Sequence, residues 1–203
     1  GEVNLGAIEE HRRLTERLDY LKEQQQDLVE AKNTLYEVIR NIEREMARRF
    51  SEGFEAIRQE FQEVFKHMFG GGRADLYLTE PENPLETGID IVAQPPGKRL
   101  QHLSLLSGGE RALTAIALLF AVLRVKPVPF CVLDEVDAAL DEANLARFVR
   151  YLRDFSRKTQ FIVITHRKQT MEGADVLYGI TMEESGISKL VSVKLEDVAE
   201  ESA

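Results

Sequence analysis

Apolar side chains along the first quarter of the chain are sparse and regularly spaced. Leu14, Leu21, Leu28, Leu35 and Ile42 recur every seven residues. Leu18, Ile39 and Met46 fill the companion position, with His11, Gln25 and Lys32 standing in the same column. A heptad seam with polar breaks predicts a long helix that pairs along one narrow stripe. No proline occurs before Pro81, so nothing interrupts a helix from about residue 5 to residue 50. A solvated surface helix packed on a domain would also tolerate this pattern. The length of the register favours one strand of a coiled coil, whose partner helix the chain does not obviously supply. Residues 1–50 are expected to form that helix and residues 51–203 a separate lobe.

The apolar positions thicken from residue 50. Phe50, Phe54, Ile57, Phe61, Val64, Phe65 and Met68 lie at helical spacing and are bulky enough to meet a core. Gly70, Gly71 and Gly72 then break the helix. The runs ADLYLT (74–79) and GIDIVA (88–93) read as strands, joined by a turn-rich stretch with Pro81, Asn83 and Pro84. Pro95, Pro96 and Gly97 end this section.

From residue 100 helices and strands alternate. Residues 108–124 are apolar nearly all round, as in a buried helix. VPFCVLD (128–134) and FIVIT (161–165) are continuous apolar runs, as in central parallel strands covered on both faces. Between them, Leu145, Phe148, Val149, Leu152 and Phe155 mark one face of a helix over 142–157. VLYGIT (176–181) and KLVSVKL (189–195) read as strands near the sheet edge. The expected class is α/β: a buried, mostly parallel sheet with flanking helices, and ligands at the C-terminal ends of the strands.

Composition changes this picture little. The 203 residues are 43% hydrophobic, enough for a real core, and carry a formal net charge of −9. That charge argues against attraction to DNA over the whole surface, but leaves room for a local basic patch. The single cysteine, Cys131, lies in an apolar run and reads as a small buried hydrophobe in a reducing cytosol. No stretch is long and apolar enough to span a membrane, and no signal peptide is visible. The chain does not begin with Met, which reads as a piece of something larger.

Three places carry candidate chemistry. Asp134 and Glu135 follow the first apolar strand directly, and adjacent side chains there point in different directions. Asp134 is thus suited to a metal such as Mg²⁺, and Glu135 to a reacting water. Solvation of a strand end alone would also explain two acids. Ser107-Gly108-Gly109-Glu110 opens the apolar helix, where free N–H groups and partial positive charge suit a phosphate. The same residues fit a simple capping box, and both readings can hold together. His166 follows the second apolar strand, at the same sheet end as Asp134 and Glu135. It could bond a phosphate or position a water, although a lone histidine is more often structural.

Taken together, these motifs resemble the ABC-type ATPases. Leu106-Ser107-Gly108-Gly109-Glu110 is similar to the ABC signature, and Phe130 to Glu135 to a Walker B strand with its catalytic glutamate. Ala138-Ala139-Leu140-Asp141 is similar to the D-loop, and His166 to the switch histidine. LSLLSGGERALTAIALLFAVL, PVPFCVLDEVDAALDEAN and QFIVITHRK, with the heptad helix before them, resemble the C-terminal heads of bacterial SMC (structural maintenance of chromosomes) proteins. RecN-type and zinc-hook relatives share the architecture but fit these strings less well. Nowhere does a GxxxxGKS or GxxxxGKT loop occur, and Gly70 to Arg73 lacks the residues for one.

The resemblance therefore implies the C-terminal lobe of a head, preceded by a coiled-coil neck, holding half of an ATP site. It implies Asp134 for Mg²⁺, Glu135 as general base and His166 at the γ-phosphate or water. Ser107, Gly108, Gly109 and Glu110 would face ATP held by an opposite head, with Asp141 across the same interface. Implied partners are an N-terminal head segment with Walker A, a second SMC protomer, a kleisin subunit at the late strands or the neck, and DNA. The cell site would be the cytoplasm at the nucleoid. Arg12, Arg13, Arg48, Arg49, Arg73, Lys98 and Arg99 are candidate DNA contacts, though each singly reads as solvated charge. The rivals are a structural module that has lost catalysis and an ABC transporter ATPase. Alone, the chain is expected to show little or no ATPase activity.

Overall fold

The computed structural model describes residues 6–184 and 186–194. Residues 1–5, 185 and 195–203 lie outside that description, and with them the last residue of the strand expected over 189–195. One helix, α1 (Gly6–Phe69), runs through 64 residues. Two compact units meet within it, between Ser51 and Glu52.

In the first unit the heptad seam is bare: Leu28 is 71% and Leu35 63% exposed. Ion pairs one turn apart dress the helix surface, Arg12 with Glu16 and Glu45 with both Arg48 and Arg49. Hydrogen bonds from those two arginines hold the Glu45 carboxyl down at about 2.

In the second unit the end of α1 buries Phe61, Val64, Phe65, Met68 and Phe69. Gly70, Gly71 and Gly72 all take positive φ and stop the helix. At Gly72 a Cβ would lie 2.2 Å from the Gln94 carbonyl oxygen, so only glycine passes there. Strands β1 (Arg73–Leu78), β2 (Ile89–Gln94) and β3 (Gln101–His102) form an antiparallel sheet in that order. Arg58 of α1 clamps this sheet: its Nε and Nη2 lie 2.6 and 2.8 Å from the two carboxylate oxygens of Asp75.

A short 3-10 turn, Leu103–Leu105, leads to α2 (Gly108–Val125). Strand β4 (Phe130–Asp134), helix α3 (Glu142–Phe155) and strand β5 (Gln160–Ile164) form a β-α-β unit with parallel strands. Phe120 of α2 is fully buried among the rings of Phe148, Tyr151, Phe155 and Phe161. Helix α4 (Lys168–Glu172) follows, then the antiparallel hairpin of β6 (Val176–Glu184) and β7 (Ile187–Lys194).

Three expectations need correction. The sheet is not mostly parallel: among the described residues there are three small sheets, and only β4 and β5 run parallel. The late strands do not edge that parallel sheet; they pair with each other. The apolar strands are covered on one side only. Cys131, Leu133, Phe161 and Val163 turn towards the core, while Phe130, Val132, Ile162 and Ile164 remain 57%, 52%, 50% and 51% exposed. Helix α2 likewise leaves Leu119, Val122 and Val125 outside. The continuous apolar pattern records that both faces are built for burial. It does not say that one chain segment covers both.

Candidate functional site

The C-terminal ends of β4 and β5 lie side by side, with Asp134 in register with Ile164. Alternation along the strands puts Asp134 on the same open face as Val132 and Phe130. Glu135 turns out of the strand with φ of 48°, a left-handed conformation that a non-glycine residue adopts at some cost. Its N–H donates to the Ile164 carbonyl at 2.9 Å, and its own carbonyl accepts from Ala138 N–H at 3.1 Å. Those bonds hold the strained residue. The turn is anchored further by Leu140, which is buried.

His166 comes two residues after β5. Its Nδ1 lies 3.6 Å from Glu135 Oε1, and both side chains face solvent. The candidate base and the candidate switch histidine thus share one place. Asp134 is exposed beside them. No cluster of three His, Cys, Asp or Glu side chains able to cage a metal occurs among the described residues.

A second candidate region is the start of α2. Ser107 stands in extended conformation before an 18-residue helix, whose first N–H groups have no partner within the helix. Glu110 Oε2 accepts from Ser107 Oγ at 2.7 Å and from Ser107 N–H at 3.2 Å. Lys98 Nζ lies 2.8 and 2.9 Å from the two Glu110 carboxylate oxygens. Burial raises the Glu110 pKa, but the bonds from Lys98 and Ser107 outweigh it and hold the carboxyl below its ordinary value.

A Cβ at Gly108 would meet nothing within 4 Å, and one at Gly109 would touch Ala139, Asp141 and Asn144 at ordinary contact distances. The packing of this chain therefore leaves room for a methyl group at both glycines. Asp141 caps α3: its carboxylate accepts from Asn144 N–H at 2.8 Å and from Asn144 Nδ2 at 3.0 Å. The structure thus brings Glu135 to His166, and Gly109 to Asp141.

Two residues near these positions are not singled out by the sequence motifs. Asp137 is fully buried, and one carboxylate oxygen accepts from the hydroxyls of both Thr165 and Thr170. Lys98, read above as a candidate DNA contact, is bound to Glu110. Of the other candidate DNA residues, Arg12, Arg48 and Arg49 sit in ion pairs, and Arg73 donates to Gln94 Oε1.

An α/β lobe with carboxylates at its parallel strand ends, joined to a long helix, is the fold class of an SMC-type ATPase head. The chain matches the model described as "RecF/RecN/SMC N terminal domain" over residues 9–189, and it belongs to that family. It is 64% identical over 200 residues to the chromosome partition protein Smc of Bacillus subtilis, matching 98% of this chain and 17% of that protein. It is 61% identical over 196 residues to that of Desulfitobacterium hafniense, matching 97% of this chain and 16% of that one. The chain thus spans about a sixth of the length of these relatives.

Among solved structures, it is similar to the Smc head domain with an extended coiled coil, bound to the C-terminal domain of ScpA, from Pyrococcus furiosus. The TM-score is 0.76 at 38% identity, covering 97% of this chain and 49% of that one. A structure described under ATP-driven dimerization and DNA stimulated activation of SMC ATPases matches with TM-score 0.68 at 42% identity, over 77% of this chain and 96% of that one. Among the described residues no helix is long and apolar enough to cross a membrane.

Proposed function

We propose that this chain is the C-terminal half of an SMC ATPase head, with a coiled-coil neck over residues 1–50 and the lobe over 51–203. It completes a composite ATP site with a separate Walker A segment. One observation carries the reading: Asp134 and the bare apolar face of β4 and β5 are continuous, so one covering surface would bury that face and meet the carboxylate. The matching family description speaks of an N-terminal domain. The lobe assignment rests instead on Ser107 to Glu110, on Asp134-Glu135, and on a sequence with no GxxxxGKS or GxxxxGKT loop. A structure of which this chain spans 49% is consistent with half a head.

In this mechanism Asp134, at the strand end, is the residue that would hold Mg²⁺. The bound ion would neutralise charge on the phosphates. Glu135 accepts the proton of the attacking water, and His166, next to it, orients that water or a γ-phosphate oxygen. Ser107 and the first N–H groups of α2 contact the γ-phosphate held by an opposite head. Gly108 and Gly109 leave that backbone open, and Asp141 keeps α3 capped beside them. ATP then joins two heads, hydrolysis releases them, and the cycle drives chromosome organisation and segregation. ScpA in the Pyrococcus furiosus structure and DNA stimulation of SMC ATPases point to a kleisin and DNA as further partners here.

The test is ATP hydrolysis by this chain alone, mixed with a Walker A segment of an SMC head, and mixed again as Glu135→Gln. Activity should appear only on mixing and fall at least about a hundredfold with Glu135→Gln. A folded, ATP-binding partner that yields no activity, even with DNA and kleisin, would leave the chain a structural module.

A further inference from the structure

We propose that Asp137 is a positioning residue that ties the strained turn carrying Glu135 to the loop carrying His166, so that base and histidine stay in one geometry. The inference rests on the catalytic reading of those two residues. Glu135 and His166 are themselves 60% and 65% exposed and lie 3.6 Å apart, too loose and too wet to hold each other. What fixes them must lie behind them. Asp137 is two residues past Glu135 and fully buried. Its Oδ2 accepts the Thr165 hydroxyl at 2.7 Å, and Thr165 immediately precedes His166.

The hydroxyl of Thr165 is engaged from both sides. Its one proton goes to Asp137, and its oxygen accepts from Arg167 N–H at 2.9 Å. Thr165 is thereby tied directly to Asp137 Oδ2, and Arg167 is tied to it through the Thr165 hydroxyl. Asp137's own carbonyl accepts from Leu140 N–H at 3.1 Å, which closes the turn on the other side. Thr170 of α4 donates to the same Oδ2, whereas Oδ1 has no hydrogen-bond partner among the described residues. One oxygen does the tying, so an asparagine with its carbonyl in that place keeps the bonds.

The variants separate positioning from bulk stability, because Thr165 and Thr170 each give one hydroxyl to the same oxygen but only Thr165 adjoins the histidine. The assay is steady-state hydrolysis by the assembled head, with hydrogen exchange at the Arg167 amide measured on the same samples. Thr165→Val should lower kcat about tenfold while KM for ATP and ATP-dependent head pairing stay within about twofold. Exchange at the Arg167 amide should quicken by about tenfold. Thr165→Ser should restore both, and Asp137→Asn should retain far more activity than Asp137→Ala. Thr170→Val should lower the melting temperature at least as much as Thr165→Val yet leave kcat within about threefold.

Unchanged kcat and exchange in Thr165→Val would overturn the proposal. So would kcat losses that track melting temperature across the set, or Asp137→Asn as inactive as Asp137→Ala at equal stability. A wild-type head without activity would sink the catalytic reading, while the exchange result would still report on the tether.

Discussion

The bare face of β4 and β5 makes a quantitative prediction. Val132 and Ile162 are direct neighbours across the two strands, flanked by Phe130 and Ile164, and each of the four keeps about half its surface. Fully burying such a side chain is worth roughly 1.5–3 kcal/mol, so covering the remaining half of each yields about 1 kcal/mol, or about 4 kcal/mol for the face. Ile162→Glu removes one share and places a carboxylate where the covering surface must dehydrate it, a penalty of several kcal/mol. Its own lobe should barely notice, because the side chain is already half in water. Binding to the Walker A segment, measured by titration calorimetry, should weaken at least about a hundredfold, whereas Ile162→Leu should bind within about threefold of wild type. A dye that lights up on apolar surface should bind the chain alone and be displaced on mixing. If Ile162→Glu kept its fold and bound as tightly as wild type, the face would not be the contact and the composite-site reading would lose its main support.

Further outcomes follow from the same geometry. Lys98→Met should leave Glu110 charged beside an incoming phosphate, so ATP-dependent head pairing should weaken about tenfold with little change in melting temperature; unchanged pairing would show that Lys98 is decoration. Gly109→Ala should leave stability within about 1 kcal/mol, because its Cβ meets only ordinary contacts, but should impair head pairing, as read by analytical ultracentrifugation with ATP. The Asp75 pKa is depressed, chiefly by the Arg58 hydrogen bonds, with burial opposing and Gln62 and the Leu76 N–H assisting. Its stabilisation is therefore complete above the unfolded value near about 4 and is lost as pH falls through the depressed folded value. Asp75→Asn should cost about 2 kcal/mol at neutral pH and flatten the acid limb of the melting curve, which acid titration of wild type and variant would check.

Much of this was legible in the sequence because it is local. A seven-residue seam, three glycines after a bulky helix face and an Asp-Glu pair at a strand end each announce themselves within a few positions. Asp137 did not: an acid in a turn reads as solvated, and its partners Thr165 and Thr170 lie about thirty residues on. Nor did Lys98, since a loop lysine reaching a helix start leaves no periodic trace. The open strand face escaped for a different reason. Apolar continuity over residues 128–134 reports that two faces are to be buried, and it is silent about which polypeptide buries them.

That silence bears on mechanism. Asp134 projects from the same face as Val132 and Phe130, so an unmet apolar face and the candidate metal ligand point at one partner. If the covering segment brings a phosphate loop, burial of the face and delivery of phosphate to Asp134 are one event, and the energy of the first sets the geometry of the second. Glu135 and His166 sit at the rim of that surface and are held from behind by Asp137. On the proposed reading, a lobe built this way keeps its candidate base and histidine arranged before the nucleotide arrives, yet has no phosphate to act on until it is covered. Changes at Val132 or Ile162 should therefore lower ATP hydrolysis by the mixed lobes through occupancy alone: saturating the partner should restore kcat, whereas no concentration of partner should restore Glu135→Gln.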